Sequence, residues 1–366
     1  MDDVEVAEIT SFLMPFGPNS RPNVLAANFD KIFSGVNPNG EGFVFSRADA
    51  SKLIASSAAY SKYLRPYLGS NDLNGDPHAG PTRLIADVGN LEEEELRLLP
   101  ELYNHLRDTV FPARQGSSEA RLRDRWWAFS RPAAELQQHI VRYNRVLVMG
   151  RHATHHTLAF QPSTIVFSDA VSVFLTEEFS SFAVLQSRVH EVWAKFLGSS
   201  IKDDPRYIPE DCFETFPFPP NYESDVPLQA VGRTYHDHRA ALMVETNKGM
   251  TTTYNHFHDV DDHRPAIQAL RDLHDEMDRA VLRAYGWEDL AGELRPEFLT
   301  NETESDHTYQ GRYFWRAEAR DRVLARLLAF NAERHTEEVA AGRAPAARER
   351  AHDAEQEGAG PLFDRD

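Results

Sequence analysis

Cysteine is all but missing from this sequence: Cys212 stands alone among 366 residues, which excludes an internal disulfide and any multi-cysteine zinc site. Long apolar runs are missing as well, and stretches such as Val171–Leu175 fall far short of the roughly 20 residues a membrane span needs. The amino-terminal Met1–Glu5 has neither the basic region nor the apolar core of a secretory signal. Glycine-rich phosphate loops are scarce. Only two Gly-x-Gly spacings occur, Gly40/Gly42 ahead of a strand rather than after one, and Gly358/Gly360 in a polar tail. No Walker loop, Gly-x-Ser-x-Gly or His-Glu-x-x-His is present, and Pro219-Pro220-Asn221-Tyr222 carries the letters of an amino-methyltransferase motif in the wrong order. We therefore expect a soluble protein of a reduced, cytoplasmic compartment, with no membrane partner.

An excess of positive charge is also lacking. The net charge is −18, which argues against a protein that coats nucleic acid indiscriminately, but a sequence-specific reader needs only a local positive surface. The charge is unevenly spread. Arg107–Arg151 holds nine arginines, no lysine and four acids, a local balance of +5 that leaves −23 for the rest. Arginine is the cation suited to bidentate phosphate and guanine contacts, so Arg114, Arg121, Arg123, Arg125 and Arg131 become candidate DNA contacts. The competing reading of this island is a solvated helical surface.

The pattern along the chain predicts an α+β protein: a mixed α/β region followed by a helical one. Residues 1–24 read as a Pro-, Asn- and Gly-rich linker. Residues 25–220 form the first domain, opening on a strand at Gly42–Phe45 and a helix from Ala48 that Ser46 caps. Arg83–Val88 is a further strand, and Leu91–Leu99 and Pro100–Val110 are helices. Arg145–Leu175 is the most β-like stretch, with short apolar runs at 146–148, 158–160, 165–167 and 171–175. Ser181–Leu197 reads as one helix on its three- and four-residue apolar steps. Phe216–Pro220 can continue neither helix nor central strand and marks a boundary. Residues 228–339 form the helical domain, with Leu228–Lys248 and apolar stripes on Ile267–Val281 and Val323–Asn331. Residues 340–366 are expected to be a disordered tail.

Two histidine clusters and one aromatic pair invite chemistry. His256, His258, Asp259, Asp261, Asp262 and His263 could hold a hydrolytic divalent metal, although no ordered His-x-x-x-His spacing supports it and a polar loop between helices is the preferred reading. His152, His155 and His156 fall with Arg151 in a turn between two strands, where hydrogen bonding to a polar partner is favoured over ligation. Trp126-Trp127 could stack on bases, though such a pair more often serves a core.

The residues then meet a known family. Phe33-Ser34-Gly35 to Gly42-Phe43 and Leu64-Arg65-Pro66-Tyr67-Leu68-Gly69-Ser70-Asn71-Asp72-Leu73-Asn74 resemble the opening of a target recognition domain of MmeI-like (type IIL) restriction-and-methylation enzymes and related DISARM adenine methyltransferases. The resemblance continues through Trp126-Trp127, Arg131-Pro132, Val166–Ala170 and Phe182–Ser187. It is strongest from Ser199-Ser200 through Lys202 and Arg206-Tyr207 to Phe216–Pro219, and extends to Thr253–Asp259 and Ala284–Trp287. It implies a recognition half that works on double-stranded DNA beside a separate catalytic methyltransferase domain or subunit. The cofactor S-adenosylmethionine belongs to that catalytic part and none is expected here, nor a metal or a catalytic residue. Arg151, His152, His155 and His156, with Lys202, Arg206 and Tyr207 from the best-matched motif, join the island arginines as candidate DNA contacts. The resemblance also lowers the metal reading of His256–Asp262. Against this stand a metal-dependent hydrolase built on His256–His263 and a scaffold protein that does not touch DNA.

Overall fold

The computed structural model describes residues 22–201 and 204–343. Its strands, in chain order, are β1 (Ile32–Ser34), β2 (Val44–Ser46), β3 (Leu64–Leu68), β4 (Arg83–Ala86), β5 (Arg145–Gly150), β6 (Leu158–Pro162), β7 (Val166–Phe167), β8 (Val171–Phe174), β9 (Ser199–Ile201), β10 (Asp204–Arg206), β11 (Glu297–Phe298) and β12 (Tyr313–Phe314). The β-like stretch supplies most of an antiparallel four-stranded sheet, ordered β1-β8-β5-β6. A second four-stranded sheet runs β2-β4-β3-β7, and β7 joins it in parallel to β3 through Tyr67↔Val166 and Leu68↔Phe167. The four apolar runs expected between 145 and 175 therefore split between two sheets. The short connection between β6 and β7 carries the chain from one sheet to the other.

Helices cover the rest. Ser46 accepts from the Asp49 amide and starts the helix Arg47–Ser56 as expected, while the strand before it begins only at Val44, after a 3-10 turn. The expected helix Ser181–Leu197 is two helices, Phe179–Gln186 and Arg188–Leu197. Ser187 between them is extended (φ −68°, ψ 157°), and its hydroxyl caps the second helix by accepting from the His190 amide. The apolar steps run through the break because the first helix is buried on all faces and the second is buried continuously from Arg188 to Ala194. Val226–Thr246, Met250–His258, Pro265–Ala284 and Ala317–Ala340 form the helical half. Met250–His258 takes in His256 and His258, which the sequence placed in a loop; the loop starts only at Asp259. The fold is α+β.

The segment Phe216–Pro220 lies across packing rather than between cores. The largest buried cluster runs from Ile32, Leu147 and Phe174 of the first sheet through Trp193 and Phe216 to Tyr235, Leu270, Val281 and Leu327 of the helices. Asn28 clamps the same segment, its Nδ2 donating to the carbonyls of Phe213, Glu214 and Phe216 at 2.8–3.2 Å. Asn331, on the last helix, donates to Thr215 O at 2.7 Å. A second core lies under the β2-β4-β3-β7 sheet and holds Phe43, Leu102, Leu106, Trp126 and Trp127. The linker expected before residue 22 and the tail expected beyond residue 343 lie outside the described residues. No helix among the described residues is long and apolar enough to cross a membrane.

Candidate nucleic-acid interface

The arginine island is largely tied to the protein's own backbone. Residues 111–131 run through short helices and turns whose carbonyls lack ladder partners, and a guanidinium has five donors to offer them. Arg114 is buried (3% exposed) and donates to Pro38 O and Ala128 O. Burial draws its pKa down from the ordinary arginine value. Arg121 holds the carbonyls of Phe129 and Ser130, and Arg123 those of Ser117 and Ser118. Arg125 bonds Glu92 and the carbonyls of Gly89 and Leu91, and lies over the Trp127 ring. Trp126 and Trp127 are themselves core, Trp127 donating to Leu91 O at 2.9 Å. Arg114 is thus an interior staple rather than the surface contact expected of it.

Arg131 differs. Its side chain is 66% exposed, with one contact to Asp169 at 3.3 Å. Its backbone pairs with Asn37, while Val36 and Asp169 exchange amide contacts with the loop after β7 and the strand end at β1. Arg151 lands on the same loop, its amide donating to Ala170 O at 2.9 Å and its Nη1 to Asp169 O at 3.4 Å. His152, exposed, has its carbonyl bonded by Ser70 Oγ. These contacts gather three chain segments around one open groove lined by Asn37, Asn39, Ser70, Asn71, Arg83 and Asp169. Arg83 faces it from β4, paired with Asp72 at 2.9 Å and lying over Tyr67. Asn37, Asn39, Asn71 and Arg83 were not among the residues singled out from sequence. The sequence signal was the turn-forming Asn39-Gly40 pair, and the Asn39 backbone is left-handed there (φ 49°).

The 155–157 end of the loop turns inward. His155 and His156 are 8% and 9% exposed, so neither is placed to touch DNA directly. His155 Nε2 meets Asn255 Oδ1 at 2.7 Å and its ring stacks on His258 at 5.1 Å. His156 Nε2 meets Leu185 O at 2.7 Å. Burial takes both below the ordinary histidine value, His155 to about 4, and drives His190 and His258 well below it. All four are neutral near pH 7. The expected polar partners lie in the same chain: Asn255 of the helical half for His155, and Leu185 of the recognition half for His156.

Tyr207 is also interior, 4% exposed, with its hydroxyl on His190 Nε2 at 3.0 Å and its pKa raised by burial. It anchors rather than contacts. Its amide donates to Arg151 O, which seats the two-stranded ribbon β9–β10 beside the Arg151 loop. Arg206 is the last residue of β10, and Lys202 lies outside the described residues.

His256, Asp259 and Asp262 approach one another closely. The charge of Asp262 is already met, though: Arg264 bonds both its oxygens at 2.5–3.1 Å and His256 Nδ1 lies at 3.0 Å. Arg264 holds this carboxyl down at about 2. Arg271 further ties the loop by donating to the carbonyls of His256, Phe257, Asp259 and Asp262. The loop is thus closed by arginines, and the hydrolase reading finds no support. Among the described residues β3–β7 is the one parallel pair of strands.

Residues 19–220 match the family model described as "MmeI, target recognition domain". Among solved structures, the type IIL restriction-modification enzyme MmeI in complex with DNA is similar, with a TM-score of 0.62 at 15% identity over 91% of this chain. That match takes in 39% of the MmeI chain, so the present chain spans well under half of its length. No curated protein matches the chain.

Proposed function

Because the chain belongs to the MmeI target recognition domain family, we propose that it is the DNA sequence-recognition portion of an adenine-specific methyltransferase of a restriction-modification or phage-defence system. It works on double-stranded DNA in the cytoplasm. Methyl transfer, with S-adenosylmethionine as donor, falls to a separate catalytic domain or subunit. An enzyme that flips its target base needs a second surface to hold the duplex and read neighbouring bases.

The observation that carries this reading is the groove lined by Asn37, Asn39, Asn71 and Arg83, with Arg131 and Arg151 bonded to its wall residue Asp169 and His152 to its wall residue Ser70. Arginine reads guanine and asparagine reads adenine by bidentate bonds in the major groove, while exposed arginines neutralise phosphates. The ribbon β9–β10 stands beside this edge, and a two-stranded ribbon fits the major groove. Arg206 and Lys202 are proposed contacts on the sequence motif alone. Arg121, Arg123 and Arg125 are proposed as secondary phosphate contacts through the donors their carbonyl bonds leave over. Arg114, His155, His156 and Tyr207 support the surface from behind.

The test is selection from a randomised duplex pool, followed by salt titration on the winning sequence. The expected result is a defined consensus, with one base position relaxed by about 1–3 kcal/mol in Arg151→Ala. Salt-independent or undetectable binding would favour a scaffold that does not touch DNA.

A further inference from the structure

The loop 151–157 is held from two sides, and the two holds come from different halves of the molecule. Its first residues are fixed by the recognition sheet: Arg151 through Ala170 O and Tyr207, His152 through Ser70. Its middle residues, Thr154 and His155, are fixed by the helical half, while His156 beyond them bonds Leu185 O and accepts from Gln186 in the recognition half. Arg312, just before β12, donates from Nη2 to Thr154 O at 2.6 Å, across 158 residues of sequence. Asn255, on the helix Met250–His258, meets His155 Nε2 at 2.7 Å, across 100 residues.

Between the holds, the exposed residues are His152 and Thr154. Thr154 therefore carries an exposed side chain on a backbone whose carbonyl is bonded by the helical half. Arg312 is itself set in place, 3.6 Å from buried Glu191, which also pairs with Lys195 at 3.1 Å. Only 13% of the Arg312 side chain is exposed, whereas Asn255 is exposed.

We propose that Asn255 and Arg312 are positioning residues for base readout: without touching DNA, they fix the loop 151–157 at the angle its exposed side chains need, so that sequence preference is shared with the helical half. This inference rests on the proposed recognition role of that loop. Base readout demands geometry within fractions of an ångström, because bidentate pairing fails when the donor tips away, whereas phosphate contacts tolerate movement.

Selection from a randomised duplex pool would be run on the full chain as parent, Arg151→Ala, Asn255→Ala, Asn255→Asp, Arg312→Ala and Arg312→Lys. Affinity for an unrelated duplex and the salt slope would be measured beside it. Asn255→Ala and Arg312→Ala should each lower the preference for the parent sequence over a one-base variant about tenfold. Binding to the unrelated duplex and the salt slope should stay the same. Asn255→Asp keeps an acceptor for His155 and should restore the preference, which a general loss of packing would not allow. Asn255 is exposed, so its variants keep the fold, and Arg312→Lys supplies a milder change if Arg312→Ala unfolds. An altered consensus in Arg151→Ala with an unaltered ratio in both Asn255→Ala and Arg312→Lys would overturn this inference and leave the recognition role standing. A uniform drop on all duplexes would likewise overturn it. A parent that selects no sequence, or a consensus indifferent to Arg151→Ala, would overturn the recognition role of the loop and this inference with it.

Discussion

Arg131 and Arg188 carry the same guanidinium, yet 66% of the Arg131 side chain lies in solvent and 1% of that of Arg188. Arg131 stands at the recognition edge with one long contact to Asp169. Arg188 stands where the sheet half meets the helices, bonded to Asp278 at 2.5 Å, to His274 Nδ1 and to Tyr313 O. Arg239 repeats the pattern, reaching Gln186, Tyr254 and Leu158 O from the helix Val226–Thr246. At the edge the cation is left available for a partner; at the junction every donor that matters is spent inside the chain. The difference follows from solvation. A buried charge persists only with its hydrogen bonds met, whereas an exposed one is cheap to leave half-paired. Charge counted along a sequence cannot tell the two apart.

The largest expected effect comes from breaking the junction. Arg188→Met strands Asp278 at 1% exposure; burial opposes the charge of this carboxyl, and the neighbouring His274 and Arg188 side chains together outweigh that and hold its pKa below the ordinary range. Losing one partner of such a pair costs about 3–5 kcal/mol. Urea denaturation should show that loss in one cooperative transition, because a single core joins the sheet to the helices. Two separate transitions in the parent, or a loss under about 1 kcal/mol, would mean that the halves are independent and the comparison misplaced.

A pH scan sharpens the same contrast. Burial lowers the pKa of His155 to about 4 and lowers those of His156, His190 and His258, while unfolding returns each to about 6.5. Between those values the unfolded chain binds more protons than the folded one, so these histidines make stability fall as pH drops from about 6.5 toward 4 and add no pH dependence above that window. Each such histidine contributes a slope of up to about 1.4 kcal/mol per pH unit. His155→Gln should make the fall shallower, and an unchanged scan would show that the junction histidines are already charged in the fold.

Much of the architecture is legible in the sequence, and the junction is not. Local signals gave the strands at 146–148 and 171–175, the cap at Ser46 and the stripe Ile267–Val281, because each rests on neighbours within a few residues. The pairing of Ile32 with Phe174 and the parallel meeting of β3 with β7 join residues about a hundred or more apart, which periodicity does not encode. The helix Pro265–Ala284 shows the limit within one element. Most of its stripe is buried as read, but Arg271, His274 and Asp278 are buried too, with Arg188 and the carbonyls of residues 256–262 as partners on other elements. For the site, Arg131, Arg151 and His152 were visible as polar loop residues. His155, His156 and Tyr207 were visible as polar residues, yet their inward turn depends on Asn255, Leu185 and His190, which no local pattern points to.

At the edge the expected effects are smaller and of another kind. Arg131→Ala should leave stability within about 0.5 kcal/mol but flatten the log–log salt dependence of duplex binding by about one unit. Arg125→Ala removes two carbonyl contacts and a partly exposed pair with Glu92, so its principal effect is a loss of about 1 kcal/mol of stability. Calorimetric unfolding and fluorescence titration across salt separate the two readouts. If Arg125→Ala shifted the slope as much as Arg131→Ala while leaving stability alone, the island would be a phosphate surface after all.

The smallest prediction compares one chemical group in both regions. Ser46 and Ser187 each cap a helix by accepting from the amide three residues on. Ser46 is exposed, and its hydroxyl also reaches Asp49 at 2.8 Å, so water can replace it at the amide when it is lost. Ser187 is fully buried and donates in addition to Val184 O at 2.7 Å. Water does not reach that break between helices without disturbing the packing around it, so its removal leaves the buried His190 amide without its partner. Capping losses span about 0.5–2 kcal/mol. Ser46→Ala should fall at the low end and Ser187→Ala at the high end, as read from urea midpoints at constant m-value. Equal losses would mean that the cap is worth the same wherever it sits, and that burial does not set the contrast between the edge and the junction.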